Sequence, residues 1–257
     1  MLNENDKFRY IRHLMLNEVG EAGQVKLFNS SVLIIGAGGL GSPNAFYLTA
    51  AGIGKIGIID FDKVDLSNLQ RQILHNMENL DEHKVDSALT KLSKVNDRTK
   101  FNIYKEKISK DNILDFIAPY DFIIDATDNF AAKFLINDAC ILGNKAFSHA
   151  GIYEFSGQIM TILPKKSACF ACAFEAPPPN ELNPRFKAGL FGVVPGVLGA
   201  LQASEAIKYL LNIGDLLTNK LLSINLKTMN FKTIEIKMNK TCRICSQKGI
   251  KQLSNYE

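Results

Sequence analysis

A chain of 257 residues, 46% hydrophobic and 22% charged, can bury a core without disulfides, and its ordinary composition excludes disorder and coiled coil. The formal net charge of +4 comes from scattered Lys and Arg, whereas a nucleic-acid surface needs a dense basic patch. No apolar run approaches the roughly 20 residues of a membrane span, and the acid-bearing start has no apolar signal region, so a cytoplasmic protein that binds neither membrane nor nucleic acid is expected.

In chain order, residues 5–29 predict an amphipathic helix, with Phe8, Ile11, Leu14 and Met15 at helical spacing. Residues 31–35 are a short apolar run that stops at Gly36, the pattern of a buried parallel strand. Gly36-Ala-Gly-Gly-Leu-Gly41 leads into a helix over residues 42–51. A stop at Gly52-Ile-Gly54 and a second strand over 56–60 complete a βαβ unit. The pattern then predicts a helix over 78–95, a strand over 101–108, a short helix over 112–117, a buried strand over 121–125 and a helix over 129–142. Strand and helix alternating in this way imply a mostly parallel sheet.

After Lys145 the texture changes. Residues 152–163 and 221–238 read as antiparallel strands, the latter turning at 226–231. Between them lie a proline-rich segment (Pro177, Pro178, Pro179, Pro184) and a helix over 196–211. The expected fold class is α/β, a Rossmann-like mostly parallel sheet continued by antiparallel strands. It forms one domain over 1–257, with an N-terminal helical segment (1–30), a nucleotide-binding half (31–145) and a second half (146–257).

Three features carry chemistry. Gly36, Gly38 and Gly41 satisfy G-x-G-x-x-G between a strand and a helix, where backbone amides and the helix N-terminus favour a phosphate. Asp60 ends the next strand, where an acid accepts hydrogen bonds from a ribose; a nicotinamide-dependent oxidoreductase would share both features. Four of the five cysteines form two C-x-x-C pairs, Cys169/Cys172 and Cys242/Cys245. In a reducing compartment two such pairs, some seventy residues apart, suit a tetrahedral Cys₄ zinc clip. Cys140, among Ala139, Ile141 and Leu142, is expected in the core.

The polar run Asp60-Phe-Asp-Lys-Val-Asp-Leu-Ser-Asn-Leu-Gln-Arg-Gln72 stands where dehydrogenases rarely carry one. With Gly-Ala-Gly-Gly-Leu-Gly before it and Asp125-Ala-Thr-Asp-Asn129 after it, the chain resembles the MoeB/ThiF/HesA family of adenylylating enzymes, relatives of ubiquitin-activating enzymes. The likeness runs from Arg9-Tyr-Ile-Arg12 to Cys245. It implies ATP-dependent adenylylation of the C-terminal glycine carboxylate of a ubiquitin-like sulfur carrier (ThiS- or MoaD-type), with release of pyrophosphate, for thiamine thiazole or molybdopterin biosynthesis. A relative acting on a ribosomal peptide or a tRNA base is the alternative. A carboxylate is already ionised at neutral pH, so the chemistry needs cations and positioning rather than a base.

The resemblance also implies ATP, Mg²⁺ and Zn²⁺ as cofactors and assigns roles. Asp60 would bind the ribose; Asn68, Arg71 and Lys84 would address the phosphates; Asp128 would hold Mg²⁺. Gly36, Gly38, Gly39, Gly41, Asp62, Ser67, Gln70 and Asn129 complete the implied nucleotide site. Arg71, Lys84 and Asp128 are the implied catalytic set, joined by Arg12, which would reach a neighbouring subunit's site and make the enzyme a homodimer. On the residues alone, Asp125 and Asp128 equally suit helix caps, and Arg12 a solvated helix surface.

One position departs from the family. Many members carry a cysteine a few residues before an Ala-Gly; here the segment reads Asn183-Pro-Arg-Phe-Lys-Ala-Gly189, with Arg185 at that place, and no cysteine lies between Cys172 and Cys242. The expected product is therefore the acyl-adenylate, with sulfur supplied by a separate donor protein and no rhodanese-like domain attached. The prolines at 177–179 are expected to form a crossover loop beside a narrow channel for the carrier's diglycine tail.

Overall fold

A computed structural model describes residues 2–176, 189–254 and 256. The expected crossover loop at Pro177, Pro178 and Pro179, with Pro184 and Arg185, lies outside them.

Every residue of β1 (Ser31–Ile35) is buried, because the strand has a parallel partner on each side, β2 (Lys55–Ile59) and β4 (Phe122–Asp125). β3 (Lys100–Tyr104) extends the sheet beyond β2. On the other side β5 (Ala146–Tyr153) runs parallel to β4 through His149, and from Phe147 to its end it pairs antiparallel with β6 (Ser156–Ile162). Antiparallel β7 (Lys220–Asn225) and β8 (Asn230–Glu235) complete eight strands in the order β3-β2-β1-β4-β5-β6-β7-β8.

Alternation along the strands feeds two cores. Val32 and Ile34 pack with α4 (Gly41–Ala50), α5 (Lys84–Val95) and α9 (Val193–Leu211) through Leu48, Val85, Leu92 and Leu198. Leu33 and Ile35 share the opposite core with α6 (Ile113–Ile117), α7 (Phe130–Leu142) and α8 (Phe170–Ala173), through Ile117, Phe134, Cys140 and Phe170. Cys140 is fully buried there, as expected from its apolar helix. No helix among the described residues is long and apolar enough to cross a membrane.

Three expectations need correction. The single helix over 5–29 is three pieces, α1 (Glu4–Arg9), α2 (Ile11–Leu14) and α3 (Gly20–Phe28), and Gly20 at φ 54° breaks the run. Its apolar face looks outward: Phe8, Ile11 and Met15 are 81%, 48% and 68% exposed. The inward positions are Asp6, paired with Arg98, and Tyr10, hydrogen-bonded to Asn96. The helix expected from 78 begins at Lys84, because the preceding segment pairs back on the chain: Val64 donates to the Glu82 carbonyl, and Lys63 bridges His83. Finally, β5 begins at Ala146, six residues before the expected strand. Ser148 and His149 interrupt its apolar pattern, and both are nonetheless buried.

Candidate functional site

The strand order reverses at β1 and β4, and α/β sheets bind ligands outside the carboxyl ends of the strands at such a point. A cavity of about 1200 Å³ opens there, and Gly36, Gly38, Gly39, Asp60, Arg71 and Lys84 are among the residues that line it. Gly36 sits at φ 104°, and a Cβ on it would lie 2.6 Å from the Ala126 carbonyl oxygen. Only glycine lets the loop turn against β4 in this way.

The loop is clasped through Ala37. Its N–H donates to Asp60 Oδ2 at 2.8 Å, and its carbonyl accepts from His75 Nε2 at 2.9 Å. His75 Nδ1 therefore accepts from Ser87 Oγ at 2.9 Å. Burial lowers the His75 pKa to about 4, which keeps the ring in this one-donor, one-acceptor state. The second Asp60 oxygen accepts from the Asp62 N–H at 2.8 Å. Burial pushes the Asp60 carboxyl above its ordinary value, opposed by Lys84. Asp60 thus faces the cavity while fixing the loop beside it.

Lys84 opens α5 and donates to Asp62 Oδ2 at 2.9 Å, with only 7% of its side chain exposed. Arg71 donates from Nη1 to the Ser67 carbonyl at 2.9 Å, which holds its guanidinium over the 3₁₀ turn Leu66–Asn68. Asp62, Gln70, Asp128 and Asn129 also line the cavity. Gly41, Ser67, Asn68 and Arg12 do not. Gly41 packs on the Gly36 carbonyl, Ser67 and Asn68 are engaged with Asp65, and Arg12 is exposed on α2.

Asn129, not Asp125 or Asp128, caps α7: its Oδ1 accepts from the Ala132 N–H at 2.8 Å. Asp125 instead centres a buried charge cluster. Lys133 Nζ approaches its Oδ2 at 3.2 Å and donates to the Ala150 carbonyl at 2.7 Å. His149 Nδ1 lies 2.8 Å from the same Oδ2, and Thr127 Oγ1 donates to Oδ1 at 2.6 Å. Burial alone would raise the Asp125 pKa, but Lys133 and His149 outweigh it and hold the carboxyl at about 2. Burial, helped by Lys133, lowers His149 to about 4, so the ring is neutral and donates from Nδ1. From α9, Gln202 donates to the carbonyls of Asp125 and Ser148 at 2.9 and 3.1 Å.

Sequence reasoning named neither His75, His149, Lys133 nor Gln202. His149, Lys133 and Gln202 are polar residues inside otherwise apolar elements, and that was the available signal; His75 lies in an irregular segment and carried none.

The two C-x-x-C turns meet as expected. Sγ separations are 3.8 Å for Cys169–Cys172, 3.7 Å for Cys169–Cys242 and 3.5 Å for Cys172–Cys245, with all four sulfurs within 4.8 Å. Metal–sulfur bonds of about 2.3 Å in a tetrahedron require sulfurs roughly 3.8 Å apart, so the cluster fits one ion. Backbone amides of Asn239 and Ile244 point at Cys172 and Cys242 Sγ at 3.5 and 3.4 Å, a setting that favours thiolates. Among the described residues this is the one group of three or more potential ligands that could hold a metal.

Glycine-loop amides presented where the sheet reverses make this chain a nucleotide-binding α/β protein of the Rossmann type. Within that class it belongs to the ThiF family, whose model matches residues 10–244. The sulfur carrier protein adenylyltransferase of Thermus thermophilus is 38% identical over 256 residues, covering 97% of this chain and 94% of that protein. The adenylyltransferase and sulfurtransferase MOCS3 of Culex quinquefasciatus is 39% identical over 259 residues; the chain spans 59% of that longer relative. Among solved structures, E. coli MccB with AMPCPP and MccA superposes with a TM-score of 0.82 at 25% identity, over 94% of this chain and 75% of that one.

Proposed function

We propose that the protein adenylylates the C-terminal carboxylate of a ubiquitin-like sulfur carrier with ATP. The observation that carries the reading is one cavity lined by the glycine loop, Asp60, Arg71, Lys84 and Asp128 and continuing over β5 to β7. Nucleotide and peptide therefore have adjoining floors. The relatives' names and the AMPCPP in the MccB structure support the same assignment.

In the proposed reaction a carboxylate oxygen attacks the α-phosphorus, the bond to the bridging oxygen breaks, and pyrophosphate leaves with that electron pair. No proton transfer is needed. Arg71 and Lys84 stabilise the charge that gathers on the transferring and leaving phosphates, Arg71 as a bidentate fork and Lys84 as a point charge. Asp60 orients the ribose from a carboxylate already locked to the loop. Asp128 would hold Mg²⁺, which supplies further neutralisation of phosphate charge when bound. The four clustered cysteines would hold Zn²⁺ as a structural cross-link. A homodimer in which Arg12 serves the neighbouring site is supported by the exposed apolar residues Phe8, Ile11 and Met15 around it.

ATP–pyrophosphate exchange tests the reading with ThiS-type and MoaD-type carriers ending in Gly-Gly and with a ribosomal peptide for comparison. Exchange with one carrier is expected, and its identity assigns the thiazole or the molybdopterin pathway. Arg71→Ala and Asp128→Ala should each abolish exchange while leaving the unfolding midpoint unchanged. Exchange with neither carrier overturns the reading.

A further inference from the structure

At the end of the sheet opposite the glycine loop, the first residues of three parallel strands form one row. Ser31 stands in register with Lys55, and Lys55 with Lys100. Neighbouring strands lie about 4.8 Å apart, so two like charges are set side by side, which costs stability unless an anion lies between them. A hollow of about 330 Å³ opens at this row, lined by Lys55, Lys100, Arg98, Asn29, Ser31 and Phe28 among others. No carboxylate among the described residues lines it. Lys100 is exposed, and its Nζ has no hydrogen-bond or ion-pair partner among the described residues. Lys55 spends one of its three N–H groups on the Pro119 carbonyl at 2.8 Å. Arg98 donates from Nη1 to Asp6, and its guanidinium carbon lies 4.8 Å from the Phe28 ring centroid. Its other N–H groups have no acceptor among the described residues. The floor is preformed: a Cβ on Gly52 or Gly54 would strike Phe28 at 2.7 or 1.7 Å, so the chain packs tightly there.

The protein's own negative charge does not absorb these cations. Asp6 cancels one of the three. α3 is capped by Asn29 and α4 stops shortly before Gly52, so both present their carboxyl ends here, each worth roughly half a negative charge. About one positive charge is left over, and the two lysines still stand side by side. We propose that Lys55, Lys100 and Arg98 form a binding site for a phosphate-bearing ligand, separate from the nucleotide cavity. The phosphate oxygens accept from the two ammonium groups and from the free N–H groups of Arg98. A phosphate group brings three acceptor oxygens and a charge of about −1.5 to −2, enough to engage all three cations. A carboxylate brings two oxygens and a single charge, and would leave one cation unmet. The site does not depend on the proposed adenylylation.

The test adds inorganic phosphate, pyrophosphate or a phosphoserine peptide to the whole chain in excess AMPCPP, against chloride controls of equal ionic strength. Lys100→Met keeps the apolar stem and removes the unpaired charge. Without phosphate it should melt no lower than wild type, because the lysine pair is relieved. At least one of the three probes should raise the wild-type melting temperature. Lys100→Met should bind that probe about tenfold more weakly by calorimetry, the worth of one close charge contact, with AMPCPP affinity unchanged. A rise with either inorganic anion assigns a free phosphate as the ligand, and a rise with the peptide alone assigns a phosphorylated protein. No rise with any of the three, or equal probe affinity in wild type and Lys100→Met, overturns the site. A Lys100→Met protein that melts below wild type in chloride alone also overturns it, because Lys100 would then serve the fold.

Discussion

Lys133→Met removes the cation from a carboxylate that has no contact with solvent. The methionine fills most of the volume of the lysine stem, so the cost is electrostatic rather than a cavity. Breaking a buried ion pair by deleting one partner costs about 3–5 kcal/mol. Asp125 keeps its contacts from Thr127 and His149, which puts the loss near the lower bound, about 3 kcal/mol at about pH 8. The Ala150 carbonyl, which accepts from Lys133 at 2.7 Å, is also left unpaired. The deficit should depend on pH with a definite sign. In the wild type Lys133 helps hold His149 neutral, with a pKa of about 4. Without Lys133, protonated His149 becomes the natural partner of Asp125 and its folded-state pKa rises. The variant therefore regains about 1 kcal/mol between about pH 8 and pH 6 relative to wild type. Urea unfolding of both proteins at the two pH values reads this directly. A deficit under about 1 kcal/mol at the higher pH, or one that widens at the lower, would show that Asp125 does not depend on Lys133 for its charge.

Three further outcomes are expected. Cys242→Ser should abolish zinc binding at the thiol cluster, read by native mass spectrometry, and lower the melting temperature; zinc binding and a melting temperature both like wild type would mean that the four sulfurs are not a ligand set. Gly36→Ala places a methyl 2.6 Å from the Ala126 carbonyl at a φ of 104°, so it should lose about 1–3 kcal/mol and all calorimetric ATP binding. In the wild type, His75 and His149 drop from 6.5 to about 4 on folding. Stability should be full above about pH 6.5 and fall as the pH approaches 4, by up to about 3 kcal/mol for His149 and less for His75. Urea midpoints that stay level over that range would refute the neutral buried imidazoles.

The readable parts of this chain were those that nearby residues decide. The apolar run of β1, the glycines that follow it and the spacing within each C-x-x-C pair all act over a few positions, and the structure reproduces them. The rest depends on distant partners. His149 looks like a break in a strand until Asp125 arrives from β4 to accept from its Nδ1, and Gln202 from α9 binds the Ser148 carbonyl beside it. Asp125 looks like a helix cap until Lys133 and His149 enclose it. The outward turn of Phe8, Ile11 and Met15 follows from Asp6 and Tyr10 finding Arg98 and Asn96, some ninety residues further along. At the candidate site the cavity-lining Asp60, Arg71 and Lys84 could be read from their motif, but His75, which clasps the loop from behind, could not.

β5 belongs to two ladders at once, parallel with β4 and antiparallel with β6. Its first half pairs with the strand that carries Asp125, and its second half begins the antiparallel strands that continue the cavity floor. Everything from Gly151 onward can thus diverge without disturbing the register of β1, β2 and β4. A protein engineer could exploit that division by transplanting side chains on β6 and β7 to reshape that end of the cavity, while the glycine-loop half stays as it is.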